Sequence, residues 1–160
     1  MAVVDYFLKI DGIPGESTDA KHKGEIEVLS WSWGETNPGP ASVGSGGGGG
    51  KVQMSDLTVG AHFSKASPQL LLTCATGKHL KSAVLTGRKS GKDQADFLTF
   101  SLTDVLVSSY QTGGVSAEVP HDSISLSFSK IEVSYKQQKA DGSLGQAIRV
   151  GWDHKTNKQF

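Results

Sequence analysis

The sequence is short of cysteine and of long apolar runs. Its one cysteine, Cys74, cannot form an intramolecular disulfide, which fits folding in a reducing cytoplasm. It lies in the apolar stretch LLLTCA, where we expect a buried small side chain. No apolar run approaches the roughly 20 residues that span a bilayer, and the start MAVVDYFLKI lacks the long apolar centre of a secretory signal. We therefore predict no membrane insertion, and any export must use a route that reads no N-terminal signal.

An excess of charge of either sign is also missing. Sixteen Lys and Arg balance sixteen Asp and Glu, and no basic run is dense enough to hold a phosphate backbone. A nucleic-acid partner is therefore disfavoured. The 160 residues suffice for one domain whose core needs neither metal nor disulfide, so we predict a single domain over residues 1–160.

Catalytic motifs are absent as well. The chain has no G-x-S-x-G, no H-E-x-x-H and no Cys and His pair within a motif. Its five histidines never pair at the spacings common in metal sites, and His22, beside Glu25 at a loop-to-strand junction, is predicted to be solvated. The glycine run fails as a Walker A motif, because Ser45 stands where glycine is required and Val52 where Ser or Thr is required. We predict no enzyme activity, no cofactor and no metal.

Period-two alternation dominates what is present. Val4, Tyr6, Leu8 and Ile10 share one face of a first predicted strand. The next segment, GEIEVLSWSWG, is predicted to place Leu29, Trp31 and Trp33 on one face and Ile26, Val28, Ser30 and Ser32 on the other. Further strands are predicted at 52–59, 83–89, 95–107, 123–137 and 147–152.

Two segments depart from simple alternation. In the strand 123–137 the apolar phase slips near Ser129, which predicts a bulge or a passage between sheets. The segment SPQLLLTCATGK predicts one helix with Ser67 as the N-cap, Pro68 at the first helical position and Gly77 after the last turn. The predicted fold is mainly β: a small β-barrel of two packed sheets with one short α-helix at its side.

Residues 34–50 form a long glycine-rich segment, which we predict to be a flexible loop. Ordering these 17 residues would cost on the order of 17 to 34 kcal/mol of backbone entropy. The segment offers little in return, because Val43 is its only sizeable aliphatic side chain.

Several stretches resemble the Hcp (haemolysin-coregulated protein) family. Residues 10–34 carry GES, the H-x-x-E-I-E run and SWSWG, and similar stretches are SPQLLLTCATGKHLKSAVLTGRKSG, DFLTFSLTDVLVSSYQTGG and KADGSLGQAIRVGWD. The resemblance covers essentially the whole chain. It implies a bacterial cytoplasmic protein that forms homohexameric rings stacked as the inner tube of a type VI secretion system. It further implies export through that system, spike and sheath components as partners, and effector proteins held in the bore of the ring.

The residues suggest where such contacts would lie. Ser30 and Ser32 are candidates for the bore, the alternative being an ordinary solvent-facing surface. Trp31 and Trp33 are candidates for the core or a subunit contact. In the loop, Val43, Gly46, Gly47 and Gly48 are candidates for ring stacking, since glycines permit close backbone approach. The competing functions are a monomeric β-barrel that binds a small ligand in its interior and, more remotely, an uncharacterised hydrolase.

Overall fold

The computed structural model describes residues 3–39, 51–90 and 94–160, which form eleven strands and one helix. In chain order the elements are β1 (Val4–Ile10), β2 (Ile26–Val28), β3 (Ser30–Ser32), β4 (Glu35–Thr36), β5 (Gln53–Met54), β6 (Leu57–His62), α1 (Ala66–Thr76), β7 (His79–Lys89), β8 (Ala95–Gly113), β9 (His121–Gln138), β10 (Leu144–Asp153) and β11 (Lys158–Gln159). The mainly β prediction with one short helix is confirmed. No helix in the described ranges has both the length and the apolarity to cross a membrane.

The main sheet runs in the order β11-β10-β9-β8-β7-β1-β2, and β6 joins β3 to β9. Every pairing is antiparallel. The long strand β9 serves both layers, because its first half pairs with β6 and its second half pairs with β10. The sheet thus folds over on itself around one core.

The fold-over occurs where the apolar phase was predicted to slip. Leu126 and Ile131 are both buried although one is even-numbered and the other odd-numbered, so the slip near Ser129 is confirmed. Opposite it, Asp104 adopts a left-handed φ of 57° and is passed over in both ladders of β8, whose registers with β7 and β9 are the same on either side of it. The Oγ of Ser129 donates to Asp104 Oδ2 at 2.6 Å, which ties the two bent strands together.

The predicted faces of GEIEVLSWSWG are partly wrong. Ile26 and Val28 are buried in the core, whereas Leu29 is 50% exposed. The reason is that the chain changes partner here: β2 pairs with β1, and β3 pairs with β6. An extra residue at this crossing reverses the phase, so Ile26, Val28, Trp31 and Trp33 all pack on the core.

The passage from β2 to β3 is also where a barrel would close. In the described part of the chain the ladder does not run continuously from β2 to β3, and Leu29 N–H donates to the Gly60 carbonyl at 2.8 Å across the gap. The predicted barrel is therefore open at this seam. Its interior is filled by side chains, among them the fully buried Leu8, Leu85, Leu102, Val59, Ile124 and Leu126.

The helix begins earlier than predicted. It spans Ala66–Thr76, so Ser67 lies inside it, and the Ser64 Oγ accepts the Ala66 N–H at 3.2 Å instead. Ser67 returns the contact, because its Oγ accepts the Ser64 N–H at 3.0 Å. Gly77 ends the helix with φ 65°, as predicted. Cys74 is half-buried against the core.

The base of the glycine-rich segment is ordered, contrary to the prediction of a loop from residue 34. Glu35 pairs with Met54 and Thr36 with Gln53 in a two-stranded ribbon. Ser55 fastens the ribbon through its backbone N–H and its hydroxyl, both of which donate to the Gly34 carbonyl at 2.9 Å. Val43, Gly46, Gly47 and Gly48 lie outside the described residues.

A hydroxyl-rich sheet face as the candidate functional site

Three adjacent strands, β3, β6 and β9, present a surface made only of serine, threonine and glycine. This surface, which we call the hydroxyl face, consists of Ser30, Ser32, Thr58, Gly60, Ser123, Ser125 and Ser127. It arises from strict alternation: the serines of β9 alternate with Ile124 and Leu126, which are fully buried on the other side. Ser30, Ser32 and Ser123 are exposed, and the other four are half-buried.

The strand register aligns these residues in rows across the sheet. Ser32 pairs with Thr58, which pairs with Ser125. Thr58 Oγ1 and Ser125 Oγ lie 3.2 Å apart and share a hydrogen bond. The next row joins Ser30, Gly60 and Ser123. The hydroxyl face is therefore a continuous surface with no large side chain standing on it.

Polar groups of a different kind lie at its two ends. At one end His62 pairs with His121 across β6 and β9, and their ring centroids are 4.9 Å apart. At the other end the Ser108 Oγ donates to Asp56 Oδ2 at 2.5 Å. The seven residues between these ends carry no charge, so the face offers hydrogen bonds without a preferred sign of charge.

The sequence-predicted residues fall on both sides of this sheet. Ser30 and Ser32 lie on the hydroxyl face. Trp31 and Trp33 point away from it and pack on Phe100, with ring centroids 5.1 and 6.3 Å apart. The buried Trp33 Nε1 finds no acceptor among the residues that the structure describes. Sequence reasoning missed the serines of β9, although the run DSISLSFS shows their alternation plainly.

A second surface was missed altogether. Tyr135 on β9 and Ile148 on β10 are cross-strand partners, and with Val150 they form an exposed apolar patch, which we call the β10 patch. Their exposed fractions are 42% for Tyr135, 66% for Ile148 and 58% for Val150. Contiguous exposed apolar side chains at the end of a sheet are typical of a protein contact. The patch continues the core-facing side of the sheet, since Trp152 pairs with Ile131 in the same register.

Asp104, which lies between a serine and a histidine, is engaged in structural contacts. Asp104 accepts from Ser129 and lies 3.0 Å from His79 Nδ1, and these hydrogen bonds, that of Ser129 first, lower the pKa of Asp104 to about 2. The carboxylate thus stands between serine and histidine, the reverse of a triad in which histidine contacts the serine. Among residues 3–39, 51–90 and 94–160 there is no group of three or more His, Cys, Asp or Glu that could hold a metal.

A buried polar network joins the helix to the sheet. Asp122 is 4% exposed and accepts hydrogen bonds from the Ser67 hydroxyl and, at 3.1 Å, from Tyr110 OH. Burial, more than any other cause, raises the pKa of Tyr110. These contacts satisfy the buried carboxylate and fix the start of α1 against β9.

Fold and site together define a structural β-protein whose candidate site is a surface. Residues 7–135 match the family described as "Type VI secretion system effector, Hcp". The Hcp1 protein of Pseudomonas aeruginosa is 48% identical over 159 residues, covering 98% of each chain. Hcp1 from Salmonella typhimurium is similar in structure, with a TM-score of 0.81, 36% identity and full coverage of both chains. Another type six secretion system protein gives a TM-score of 0.91 at 33% identity, covering 99% of this chain and 100% of its own.

The chain belongs to the Hcp family. It is a type VI secretion tube and effector protein, as the resemblance implied, and this agrees with a structural, secreted role and with self-association in general.

Proposed function

We propose that the chain assembles into homohexameric rings that stack into the inner tube, with the hydroxyl face lining the bore. The hydroxyl face carries this assignment. A bore that must pass folded cargo needs a surface without protruding side chains and without fixed charge. Serine, threonine and glycine across three neighbouring strands meet both needs, because short hydroxyls stay hydrated and leave the channel open.

The cargo contacts would then be numerous and individually weak. Each exposed hydroxyl can donate or accept a hydrogen bond, so the face can meet effector proteins of different surface chemistry. Ser30 and Ser32 are the contacts we assign first, since both are exposed. Because each hydrogen bond is weak, the effector protein can also leave the bore after export. The tube would load in the bacterial cytoplasm and leave through the type VI apparatus, whose spike and sheath it would contact.

The β10 patch supplies a contact between subunits. In a closed ring each subunit contacts its two neighbours through two different surfaces, and the same contact is repeated around the ring. The exposed apolar side chains of Ile148, Val150 and Tyr135 are suited to burial against a neighbour. Trp31 and Trp33 remain candidates for supporting that contact from within, as do Val43, Gly46, Gly47 and Gly48 for the contact between rings.

A monomeric binder of a small ligand is the alternative, and the packed interior argues against it. Leu85, Leu102 and Ile124 are at most 1% exposed and occupy the space that a ligand would need.

Mass and microscopy test the assembly. Native mass spectrometry should give a species at six times the 16.9 kDa chain mass, and electron microscopy should show rings. A species at one chain mass at all concentrations would favour the monomeric alternative.

Thiol labelling tests the assignment of the bore. In a Cys74→Ser background, Ser32→Cys should react with a bulky polymer maleimide in dissociated subunits and become protected in assembled tubes. Gln69→Cys on the exposed side of α1 is the matched control and should react in both states. Equal rates for Ser32→Cys in the two states would remove Ser32 from the bore. If Ser32→Cys fails to assemble, Ser32 belongs to an interface.

A further inference from the structure

A second buried cluster lies on the outer side of the sheet, away from the core. Phe7 of β1 and its cross-strand partner Thr86 of β7 are 4% and 5% exposed, and Arg88 is 2% exposed. The cover over them is the segment 11–25, which links β1 to β2 and has no regular secondary structure over most of its length. Specific side-chain and backbone contacts must therefore hold this segment on the sheet.

His22 makes the most constrained of these contacts. It was predicted to be solvated, and this is wrong, because the residue is 6% exposed and its ring stacks on Phe7 with centroids 4.5 Å apart. Its Nδ1 lies 2.9 Å from Glu25 Oε2, and its Nε2 lies 2.9 Å from Asp96 Oδ1. Glu25 belongs to the same segment, whereas Asp96 lies on β8. The ring therefore connects the segment to the sheet.

The protonation state follows from the geometry. A carboxylate only accepts hydrogen bonds, and a neutral imidazole has one N–H and one lone pair. A neutral His22 would thus satisfy one carboxylate and turn a lone pair towards the other. Only the imidazolium donates to both. Burial lowers the pKa of His22, but the hydrogen bonds to Asp96 and Glu25 outweigh it and raise the pKa above the ordinary 6.5.

An ion pair in the middle of the segment does not titrate in the same range. Asp19 and the buried Arg88 form a two-pronged ion pair, and Asp19 Oδ1 also accepts the His22 N–H at 3.1 Å. Their hydrogen bonding lowers the pKa of Asp19 and raises the pKa of Arg88, so this pair stays charged through neutral pH. Asp5 of β1 also acts on Arg88 electrostatically.

Lys21 and Lys23 of the same segment are exposed, and Lys21 Nζ donates to the Gln94 carbonyl at 3.0 Å. With the five groups Asp19, His22, Glu25, Arg88 and Asp96 charged, the cluster carries three negative and two positive charges. Loss of the His22 proton would leave three negative charges against one. That excess of negative charge acts against closure of the segment on β8.

We propose that His22 is a pH-responsive latch that holds the segment 11–25 on the sheet as an imidazolium and releases its far end when it loses the proton. Because the folded-state pKa is raised, the stabilisation is fully present below pH 6.5 and is lost as the pH rises through the folded-state value. The Asp19 and Arg88 pair keeps the middle of the segment attached. Opening is thus confined to the end that runs from His22 to β2. This inference concerns the subunit itself and does not depend on ring assembly.

Hydrogen exchange measures the opening directly. The reporters are the amides of Gly24 and Glu25, which donate to the Ser17 and His22 carbonyls at 2.8 and 3.2 Å, and the amide of Ser17, whose acceptor at 3.0 Å is the Glu25 carbonyl in the end that opens. After correction for intrinsic exchange, their protection should fall roughly tenfold between about pH 6 and about pH 9, the loss expected for one charge-assisted hydrogen bond. Amides of β1 and β7 should keep their protection.

Two variants separate the latch from general alkaline loosening. His22→Gln should abolish the pH dependence of the segment, whereas His79→Gln should leave it as in the wild type, since His79 is exposed and its ring hydrogen-bonds to Asp104, away from the segment. Should His22→Gln fail to fold, Asp96→Ala serves instead, because it removes one acceptor and should shift the opening to lower pH. An unchanged pH profile in His22→Gln or in Asp96→Ala overturns the proposal.

The ring nitrogens give an independent measurement. Nitrogen-15 spectra of histidine side chains distinguish the imidazolium from the two neutral tautomers. At about pH 7, above the ordinary histidine pKa, both nitrogens of His22 should still be protonated. A neutral His22 ring at that pH, or protection of the segment that does not change up to about pH 9, would contradict the latch.

Discussion

Ser30 stands directly over Gly60 on the hydroxyl face, so close that a Cβ added at Gly60 would lie 2.5 Å from the Ser30 Oγ. The two are cross-strand partners between β3 and β6. Gly60 has no positive φ that would require glycine. The absence of a side chain at Gly60 therefore leaves room for the Ser30 hydroxyl and is not needed for the backbone conformation. The next atom of Ser30, its Cβ, is 3.8 Å from the same point. The conflict is therefore with one rotatable hydroxyl.

Gly60→Ala should accordingly depend on residue 30. In the wild type it pushes the Ser30 χ1 angle away from its staggered rotamer, a cost of roughly 0.5–1.5 kcal/mol that offsets the entropic gain of about 0.4–1 kcal/mol from replacing glycine. In a Ser30→Ala background the steric cost is removed, so Gly60→Ala should show only the entropic gain in stability. Urea unfolding of the four proteins of this cycle measures the coupling, expected to be roughly 0.5–1.5 kcal/mol. Additive effects within error would mean that Ser30 and Gly60 do not constrain each other.

The alternation rule served well wherever one strand keeps one partner. It located β1 with its core face of Leu8 and Ile10, and it located the slip near Ser129 because the apolar residues themselves change parity there. It failed at Leu29, since the chain passes from one sheet edge to another without a turn residue to mark the change. Ser30 and Ser32 were nevertheless placed on one face correctly, because they lie beyond the crossing and alternate with the tryptophans.

Contacts distant in sequence were beyond such reasoning. His22 was assigned to solvent because only Glu25 is near it in the chain, while Asp96, 74 residues away, becomes its second partner only when β8 pairs beside β7. The β10 patch was missed for a related reason. Ile148 and Val150 alternate as core residues do, and their exposure follows from lying near the edge of the folded sheet.

Asp104 should show an unusually acidic carboxyl group. Its pKa is lowered from 3.8 to about 2, chiefly by the hydrogen bond from Ser129. Ser129→Ala should raise it towards 3.8, and a carbon-13 titration of the side-chain carboxyl measures the change. Lys155→Ala, which removes a cation 3.5 Å away, is the control and should raise it less.

The sign of the stability effect follows from that shift. A depressed carboxyl pKa stabilises the fold above the unfolded-state value of 3.8 and ceases to do so as the pH falls to about 2. The stability gap between the wild type and Ser129→Ala should therefore narrow over that interval. A gap that stays constant from pH 5 downward, or an Asp104 pKa that Ser129→Ala leaves unchanged, would assign the shift to another cause.

The β10 patch should matter for association and little for folding. Ile148→Lys replaces a side chain that is 66% exposed in the subunit, so the free energy of unfolding should change by no more than about 0.5 kcal/mol. If Ile148 is buried between subunits, its removal costs roughly 1.5–3 kcal/mol per contact, a factor of about 10 to 100 in each association step. Sedimentation velocity against concentration measures this shift towards the free subunit.

Leu71→Lys provides the matched control for the β10 patch. Leu71 is 58% exposed but lies on α1, away from β10. It should leave the sedimentation profile unchanged. Rings as stable in Ile148→Lys as in the wild type would place the subunit contact elsewhere.

The ribbon of β4 and β5 predicts that the glycine-rich segment can be shortened without harm to the fold. Thr36 and Gln53 are already paired, and Ser55 holds the adjoining Gly34 carbonyl, so the two ends of the stretch 38–49 are brought together by contacts outside that stretch. Replacing residues 38–49 by a two-residue turn should therefore keep the far-ultraviolet circular dichroism and the Tm of the wild type.

The residues removed include Val43, Gly46, Gly47 and Gly48, our candidates for contact between rings. Single rings should then persist in electron micrographs while stacked tubes become rare, and Val43→Gly, which keeps the length, should have a smaller effect. Tubes as long and as frequent as those of the wild type would exclude this segment from stacking, whereas a lower Tm would show instead that the segment supports the subunit itself.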